Sequence, residues 1–153
     1  MRNPNRILII HKKLFEKDVL EHFLDSSNNI LISELHKYHN YIVQCWINNP
    51  DLRFGQLLCN IGLITDKEIE DRIWNIEETL WLVDNNYCSF EDIHFWGINY
   101  FKNGKKRKST KYKLLRDLDI NHIKNIIIFF EKYNSLDKLN KEYLEYFNKR
   151  IND

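Results

Sequence analysis

The chain has 153 residues, close to the commonest size of one domain, and its 43% hydrophobic and 29% charged residues exclude a disordered chain. No stretch reaches the roughly 18 apolar residues that a membrane span needs, and the start does not resemble a signal peptide. The three cysteines lack CxxC spacing, which argues against a disulfide framework or a structural zinc site. We therefore expect a cytoplasmic protein with reduced thiols, no cofactor and no bound metal.

The charges are distributed unevenly, although the net charge is only +1. Residues 65–99 contain nine acidic and two basic residues, a net of −7. Residues 100–116 contain eight basic residues and no acidic one, a net of +8. Two adjacent stretches of opposite sign indicate surfaces for charged partners, either protein or nucleic acid.

Helical spacing of apolar residues predicts four helices in the first half of the chain. They run over about 5–24, 31–48, 50–61 and 66–84. Pro50 ends the second, because the residue before a proline avoids the helical region, and Gly62 ends the third. The fourth begins at the capping-box spacing of Thr65 to Glu68 and is either continuous or broken near Trp74-Asn75.

Residues 95–113 have the pattern of a β-hairpin, with the turn signal Asn103-Gly104 between two extended runs. A two-residue turn there pairs Lys102 with Lys105, Tyr100 with Arg107 and Trp96 with Lys111, all on one face. The opposite face then carries Phe95, Gly97, Asn99, Phe101, Lys106, Lys108, Thr110 and Tyr112. Because a lone hairpin is marginal in water, we expect it to pack on helices.

Two further helices are predicted at the end of the chain. One runs over about 120–132 and is capped by Asp119, and the other runs over about 136–151 and is capped by Ser135. The fold class is therefore α+β: a mostly helical single domain over 1–153, with about five helices and one hairpin near 95–113. Within it we distinguish a helical submodule, 1–88, from a hairpin followed by two helices, 89–153.

Two segments resemble small uncharacterised proteins of phages and prophages. The first combines PNRI at residues 4–7 with CWINNPDLRFGQLLCNIG at 45–62 and IWNIEETLWL at 73–82. The second is the Asn103-Gly104 turn followed by YKLLRDLDINHIKNIIIFF at 112–130, similar to a hairpin joined to an Asp-Leu-Asp-x-x-His-Ile-x-Asn helix. The resemblance implies a phage or mobile-element context and brings no mechanism.

The basic hairpin is the first candidate binding surface, since cations bind phosphates and aromatic faces stack on unpaired bases. Its residues are Tyr100, Lys102, Lys105, Lys106, Arg107, Lys108, Lys111, Tyr112 and Lys113. Phe101 lies among them. The alternative is that these lysines solvate a sheet edge and prevent aggregation, or pair with the acidic stretch.

The acidic stretch is the second candidate, a surface that could mimic DNA phosphates or dock on a basic partner. Its residues are Asp66, Glu68, Glu70, Asp71, Glu77 and Glu78, with Asp84 nearby. The alternative is a solvated helix face. A homodimer that joins the basic hairpin to this surface is physically reasonable.

Other polar residues are assigned structural roles. We expect Arg53 to be paired with Glu77 or Glu78, and Gly55 to mark close approach by another element such as a bulky ring. Asp119 and His122 are expected to cap or pack the helix that they begin. His36 and His39 are three residues apart on one helix, but a third metal ligand is not evident.

Three functions remain open. The favoured hypothesis is a non-enzymatic phage or mobile-element accessory protein that binds a host protein or nucleic acid, with inhibition of a host defence system as one role open to it. The second is a small nucleic-acid-binding protein that uses the hairpin at 100–113. The third is a metal-dependent nuclease, which would require metal at His36 and His39.

Overall fold

Ten α-helices and one two-stranded antiparallel hairpin make up the part of the chain that the computed structural model describes, residues 4–132 and 136–153. The α+β class is confirmed, whereas the expected number of about five helices is wrong. The chain divides into two compact units, Met1–Phe95 and Trp96–Asp153. The single domain over 1–153 stays a prediction.

The first unit is entirely helical apart from the beginning of the hairpin. Its helices are α1 (Pro4–Leu14), α2 (Val19–Leu24), α3 (Asn29–Lys37), α4 (His39–Asn48), α5 (Phe54–Asn60), α6 (Lys67–Ile73), α7 (Glu78–Asp84) and α8 (Phe90–Ile93). Its core is aliphatic around the fully buried rings of Trp46 and Phe54, which lie 5.3 Å apart between centroids. Across the described ranges, no helix is long and apolar enough to cross a membrane.

The long helices expected from apolar spacing are broken by local backbone conformation. Asp18 adopts a left-handed conformation, φ 67°, and separates α1 from α2. Tyr38, with φ −99° and ψ 15°, ends α3 and precedes α4. The segment over 66–84 is broken after Ile73, and Glu77 is extended before α7 begins. None of these conformations can continue an α-helix, so three predicted helices become six.

Two further boundaries differ from the sequence expectation. The third helix begins at Phe54 rather than at Pro50, with residues 50–52 in turns and bends. The cap of α6 is Asp66 rather than Thr65, because the Asp66 carboxylate accepts hydrogen bonds from the backbone N–H groups of Glu68 (2.9 Å) and Ile69 (3.3 Å). A carboxylate here also suits the positive end of the helix dipole.

The second unit joins the hairpin to two helices. It contains β1 (Phe95–Tyr100), β2 (Lys106–Leu114), a 3₁₀ turn (Leu115–Asp117), α9 (Ile120–Glu131) and α10 (Lys138–Asn152). Asp119 caps α9 as predicted, and Asp137 caps α10 by accepting from Asn140 N–H at 2.7 Å. Ser135, the expected cap of the last helix, lies outside the described residues.

Trp96 connects the hairpin to both helices of this unit. Its ring lies 5.6 Å from Phe130 of α9 and 6.1 Å and 5.8 Å from Tyr143 and Phe147 of α10, in edge-to-face arrangements. This geometry is favourable for aromatic rings. The expectation that the hairpin packs on helices is confirmed by these contacts.

The expected two-residue turn is wrong. Phe101 N–H donates to Lys105 C=O at 2.8 Å, and Gly104 N–H donates to Phe101 C=O at 3.0 Å. The loop is therefore three residues long, 102–104, with Gly104 at φ 85°. The pairing of Lys102 with Lys105 does not form. Farther from the turn, Gly97, Asn99, Thr110 and Tyr112 share one side as expected.

All three cysteines carry free, half-buried thiols. Burial raises the pKa of the Cys59 thiol and raises the pKa of Cys88 to about 11. Because the thiolate is the reactive form, these thiols are poor nucleophiles at neutral pH.

Gly55 lies where α5 meets the end of α6, and the neighbour is a backbone group rather than the bulky ring expected. A Cβ on Gly55 would lie 2.3 Å from the Ile73 carbonyl oxygen and 2.8 Å from its carbonyl carbon. Both are backbone atoms, so α6 itself would have to move. The glycine therefore permits the close approach of the two helices.

We predict that Gly55→Ala lowers the free energy of unfolding by about 3 kcal/mol, because the added methyl group overpacks two backbones. Urea unfolding followed by tryptophan fluorescence would measure it. Asn60→Ala, at the exposed end of the same helix, is the control and should unfold like the wild type. If Gly55→Ala unfolds like the control, α5 and α6 do not approach each other this closely.

His11 is a buried histidine that the fold holds in its neutral form. It is 8% exposed, its Nε2 lies 3.0 Å from the His39 carbonyl oxygen, and its ring stacks on Phe15 at 4.3 Å. Burial is the main cause that lowers the pKa of His11 to about 4. The hydrogen bond with the His39 backbone carbonyl raises this pKa, and the charge of the His39 ring lowers it. The unfolded chain therefore binds a proton at this site at a higher pH than the folded chain does.

We predict that stability falls as the pH is lowered from about 6.5 to about 4, with His11 contributing up to about 3 kcal/mol of the loss. The sign follows because His11 binds protons mainly in the unfolded chain across this window. His11→Gln should lose that part of the dependence, while the carboxylates common to both proteins cancel in the comparison. Equal slopes in urea unfolding from pH 6.5 to pH 4 would contradict the assignment.

Candidate functional site

The cations of the hairpin form a dense positive surface. Lys102, Lys105, Lys106, Lys108 and Lys111 are exposed, while Arg107 and Lys113 are half-buried. Within the described residues of the second unit, none of these seven has a carboxylate at ion-pair distance. Surface cations at this density attract anions and repel each other.

A cleft of about 730 Å³ opens on the second unit beside these cations. Residues of β1, the turn, β2 and α9 line it. They are Trp96, Gly97, Ile98, Asn99, Tyr100, Phe101, Lys102, Arg107, Lys111, Lys113, Asp119, His122, Asn125, Ile126 and Phe129. Its volume lies within the ~300–1,000 Å³ typical of ligand sites.

The cleft brings together five of the nine residues predicted for the basic surface. These are Tyr100, Lys102, Arg107, Lys111 and Lys113. The other four, Lys105, Lys106, Lys108 and Tyr112, are exposed on the same hairpin and do not line the cleft.

The helix side of the cleft was not predicted as a binding surface. Asp119, His122 and Asn125 are spaced by three residues, which places them along one face at the beginning of α9. They are the polar positions of the Asp-x-x-His-x-x-Asn part of the second resemblance. Phe129 extends this face and is 46% exposed, away from the buried stripe of Ile123, Ile126 and Phe130. In the sequence, the signal for this surface was Phe129, an aromatic residue outside the buried stripe.

Arg107 lies on the face of the Phe101 ring, with 4.2 Å between the guanidinium carbon and the ring centroid. The expected register placed these two residues on opposite faces and is therefore wrong here, because the three-residue loop shifts the pairing by one residue. Arg107 Nε is buried and has no hydrogen-bond acceptor among the described residues. Stacking on a ring holds a guanidinium in place while its outer N–H groups stay available.

Asp119 is the one acidic residue among those that line the cleft. It accepts the backbone N–H of His122 at 2.8 Å, and this hydrogen bond is the main cause that lowers the pKa of Asp119. The charges of His122, Lys113 and Lys102 lower it further. The carboxylate is therefore ionised at neutral pH, and the structural role predicted for Asp119 and for the His122 backbone is observed.

The acidic stretch divides into exposed and buried parts. Asp66, Glu68 and Asp71 are exposed on or next to α6, and Glu70 is half-buried. Asp71 is paired with Lys67 at 3.0 Å. Glu78 is fully buried and Glu77 is 19% exposed, so neither belongs to an open acidic surface.

Glu77 and Glu78 instead join three helices of the first unit. Glu77 lies 3.7 Å from Arg6 of α1 and 3.6 Å from Arg53, the residue before α5. Thr79 accepts a hydrogen bond from Arg6 and donates one to Glu77. Glu78 accepts the N–H of Phe54 at 3.4 Å. The arrangement is an ion-pair network that holds helices together.

The histidines proposed as metal ligands do not form a metal site in the described ranges. His39 Nδ1 lies 2.8 Å from the backbone carbonyl oxygen of His36, and both side chains are exposed. Across residues 4–132 and 136–153, no group of three or more His, Cys, Asp or Glu side chains is placed to hold a metal ion. Metal-dependent nuclease activity therefore has no geometric support from this pair.

No protein-family model, curated protein or solved structure matches the chain. The resemblance to phage and prophage proteins accordingly stays a prediction.

We predict that Glu77→Gln lowers the free energy of unfolding by about 2 kcal/mol, because it removes the charge that faces Arg6, whose side chain is 9% exposed. Asp71→Asn is the matched control and should cause no measurable change. Its pair with Lys67 is shorter but exposed, and exposed pairs are screened by solvent. If urea unfolding showed a larger loss of stability in Asp71→Asn than in Glu77→Gln, burial would not determine the strength of these ion pairs.

Proposed function

We propose that this chain is a non-enzymatic protein that binds a nucleic acid through the basic hairpin and the cleft beside it. The observation that carries the proposal is the set of seven hairpin cations, none of which has a carboxylate at ion-pair distance among the described residues of their unit. Phosphate groups are the anions that such a surface fits, because binding releases the counterions condensed on the nucleic acid.

The arrangement of cations and rings supports a nucleic acid over an acidic protein. An acidic protein surface requires opposite charges at matching positions, but it has no use for rings between the cations. Tyr100 and Phe101 are exposed immediately before Lys102, and Arg107 of the second strand lies over the Phe101 ring. Nucleic acids present both an anionic backbone and flat bases, so both sets of side chains would have a partner.

The biological setting remains the one that the sequence suggests. The chain would be an accessory protein of a phage or mobile element that acts in the cytoplasm of a bacterial host on a host macromolecule, with inhibition of a defence system as one such action. The resemblance of residues 4–7, 45–62, 73–82 and 112–130 to phage and prophage proteins supports this setting. Nucleic-acid binding would be the mode of action.

We predict that replacing Arg107, Lys108 and Lys111 together with Glu abolishes binding to a mixed-sequence oligonucleotide at low salt. The wild type should bind with an affinity whose logarithm falls linearly with the logarithm of salt concentration. Fluorescence anisotropy of a labelled oligonucleotide, titrated at several salt concentrations, measures both.

The matched control replaces three lysines of α10 with Glu, namely Lys138, Lys141 and Lys149. These are exposed and do not line the cleft, and the change in net charge is the same. This variant should retain most of the affinity. If wild-type binding shows no salt dependence, or if both variants lose affinity equally, the hairpin is not the binding surface.

A pull-down from host lysate with and without nuclease separates the two classes of partner. Captured material that disappears after nuclease treatment supports the proposal. A captured protein that survives the treatment, and is lost with the hairpin variant, would favour a protein partner.

A further inference from the structure

The cleft combines exposed aromatic rings with polar side chains that have unused hydrogen-bonding groups. Resting on the proposed function, we propose that the cleft takes unpaired bases, so that the ligand is a single-stranded nucleic acid rather than a duplex. The cations around the cleft would bind the phosphates of the same strand. The proposal names the class of ligand for the site described above.

Three rings of the cleft are partly open to solvent. Tyr100 is 59% exposed, Phe101 is 47% exposed and Phe129 is 46% exposed. They come from both sides of the cleft, two from the hairpin and one from α9. Arg107 covers one face of Phe101. The exposed parts of these rings lie beside cations and are suited to stack on a flat ligand.

The polar side chains of the cleft can meet the edge of a base. Thr110 Oγ1 donates to Asn99 Oδ1 at 2.6 Å, which orients the Asn99 amide and leaves its N–H groups available. The Asn125 amide and the His122 ring have no hydrogen-bond partner among the described residues of this unit. Amides offer both a donor and an acceptor, which is what the edge of a base requires.

Asp119 gives the cleft a feature that a site for phosphate alone would not have. Its carboxylate is ionised and would repel a phosphate placed next to it. It can accept a hydrogen bond from the exocyclic amino group of a base, a contact that carboxylates make with cytosine. The carboxylate therefore favours a base, rather than a phosphate, at the helix side of the cleft.

A duplex would leave these groups unused. Its bases are stacked and paired, so the rings of the cleft would face sugars and phosphates. The basic hairpin could still attract a duplex through charge alone, and that attraction would be independent of Phe129 and Asn125. The two ligands therefore differ in what they predict for the aromatic residues.

The first experiment compares three ligands of equal length and label by fluorescence anisotropy at one salt concentration. They are a mixed-sequence single strand of 12 nucleotides, its duplex, and a 12-mer single strand whose central nucleotides are abasic. DNA and RNA single strands are both titrated, and the tighter one is used. We expect the single strand to bind more tightly than the duplex, and the abasic strand to lose roughly 5- to 150-fold, the effect of one or more stacked bases.

The second experiment changes one ring. Phe129→Ala should weaken single-strand binding roughly 5- to 150-fold while leaving the salt dependence unchanged, because no cation is removed. Phe129→Tyr keeps a ring of similar size and should restore most of the affinity. Ile128→Ala is the control, since Ile128 is exposed on the same helix and does not line the cleft. Circular dichroism checks that each variant is folded.

The outcomes separate this inference from the proposed function. Salt-dependent binding in which duplex, abasic and intact strands are equal, with no effect of Phe129→Ala, would overturn the single-strand inference and leave the basic surface in place. The absence of salt-dependent binding to every ligand would overturn both. Loss of affinity in Phe129→Ala together with rescue in Phe129→Tyr supports a stacked base.

Discussion

The hairpin, and with it the whole candidate site, depends on the contact of Trp96 with the rings of α9 and α10. Two strands alone are marginal in water, and this hairpin, with its loop, also carries seven cations that repel one another. Edge-to-face contacts with Phe130, Tyr143 and Phe147 each contribute on the order of 0.5–1.5 kcal/mol beyond the area that they bury. Trp96 lines the hairpin side of the cleft, and Ile126 and Phe129 line its α9 side. The contact of Trp96 with Phe130 of α9 therefore holds the two sides together.

The sequence predicted which residues are buried better than it predicted where helices end. The first predicted helix divides at Asp18, yet all six apolar residues whose spacing predicts it are buried. These are Ile7, Ile10, Leu14, Leu20, Phe23 and Leu24. The spacing of apolar residues is kept across the break because α1 and α2 pack on the same core. The break itself depends on a left-handed conformation at one residue, which aspartate tolerates but does not require. Spacing of apolar residues carries no information about that choice.

Local backbone conformation and tertiary packing also determine the hairpin register and the helix side of the cleft, and apolar spacing does not predict either. Asn103-Gly104 located the turn, but this dipeptide fits both a two-residue turn with two positive φ angles and a three-residue loop in which only Gly104 has one. The choice shifts the pairing by one residue and brings Arg107 onto Phe101. The composition identified the cations, since charge can be read from the sequence directly. The helix side of the cleft could not be predicted, because only tertiary packing places α9 beside the hairpin.

The two segments for which we predict a resemblance to phage proteins have different physical roles. In the first unit, Arg6, Arg53 and Glu77 come from its three separated pieces and meet in one network, so that pattern is explained by helix packing. In the second unit, Asp119, His122 and Asn125 line an open cleft, and packing does not account for all three. Packing does not account for the cations beside the cleft either. Lysines can protect a sheet edge from aggregation, but like charges at this density also repel one another. A bound anion, as in the proposed function, would relieve that repulsion.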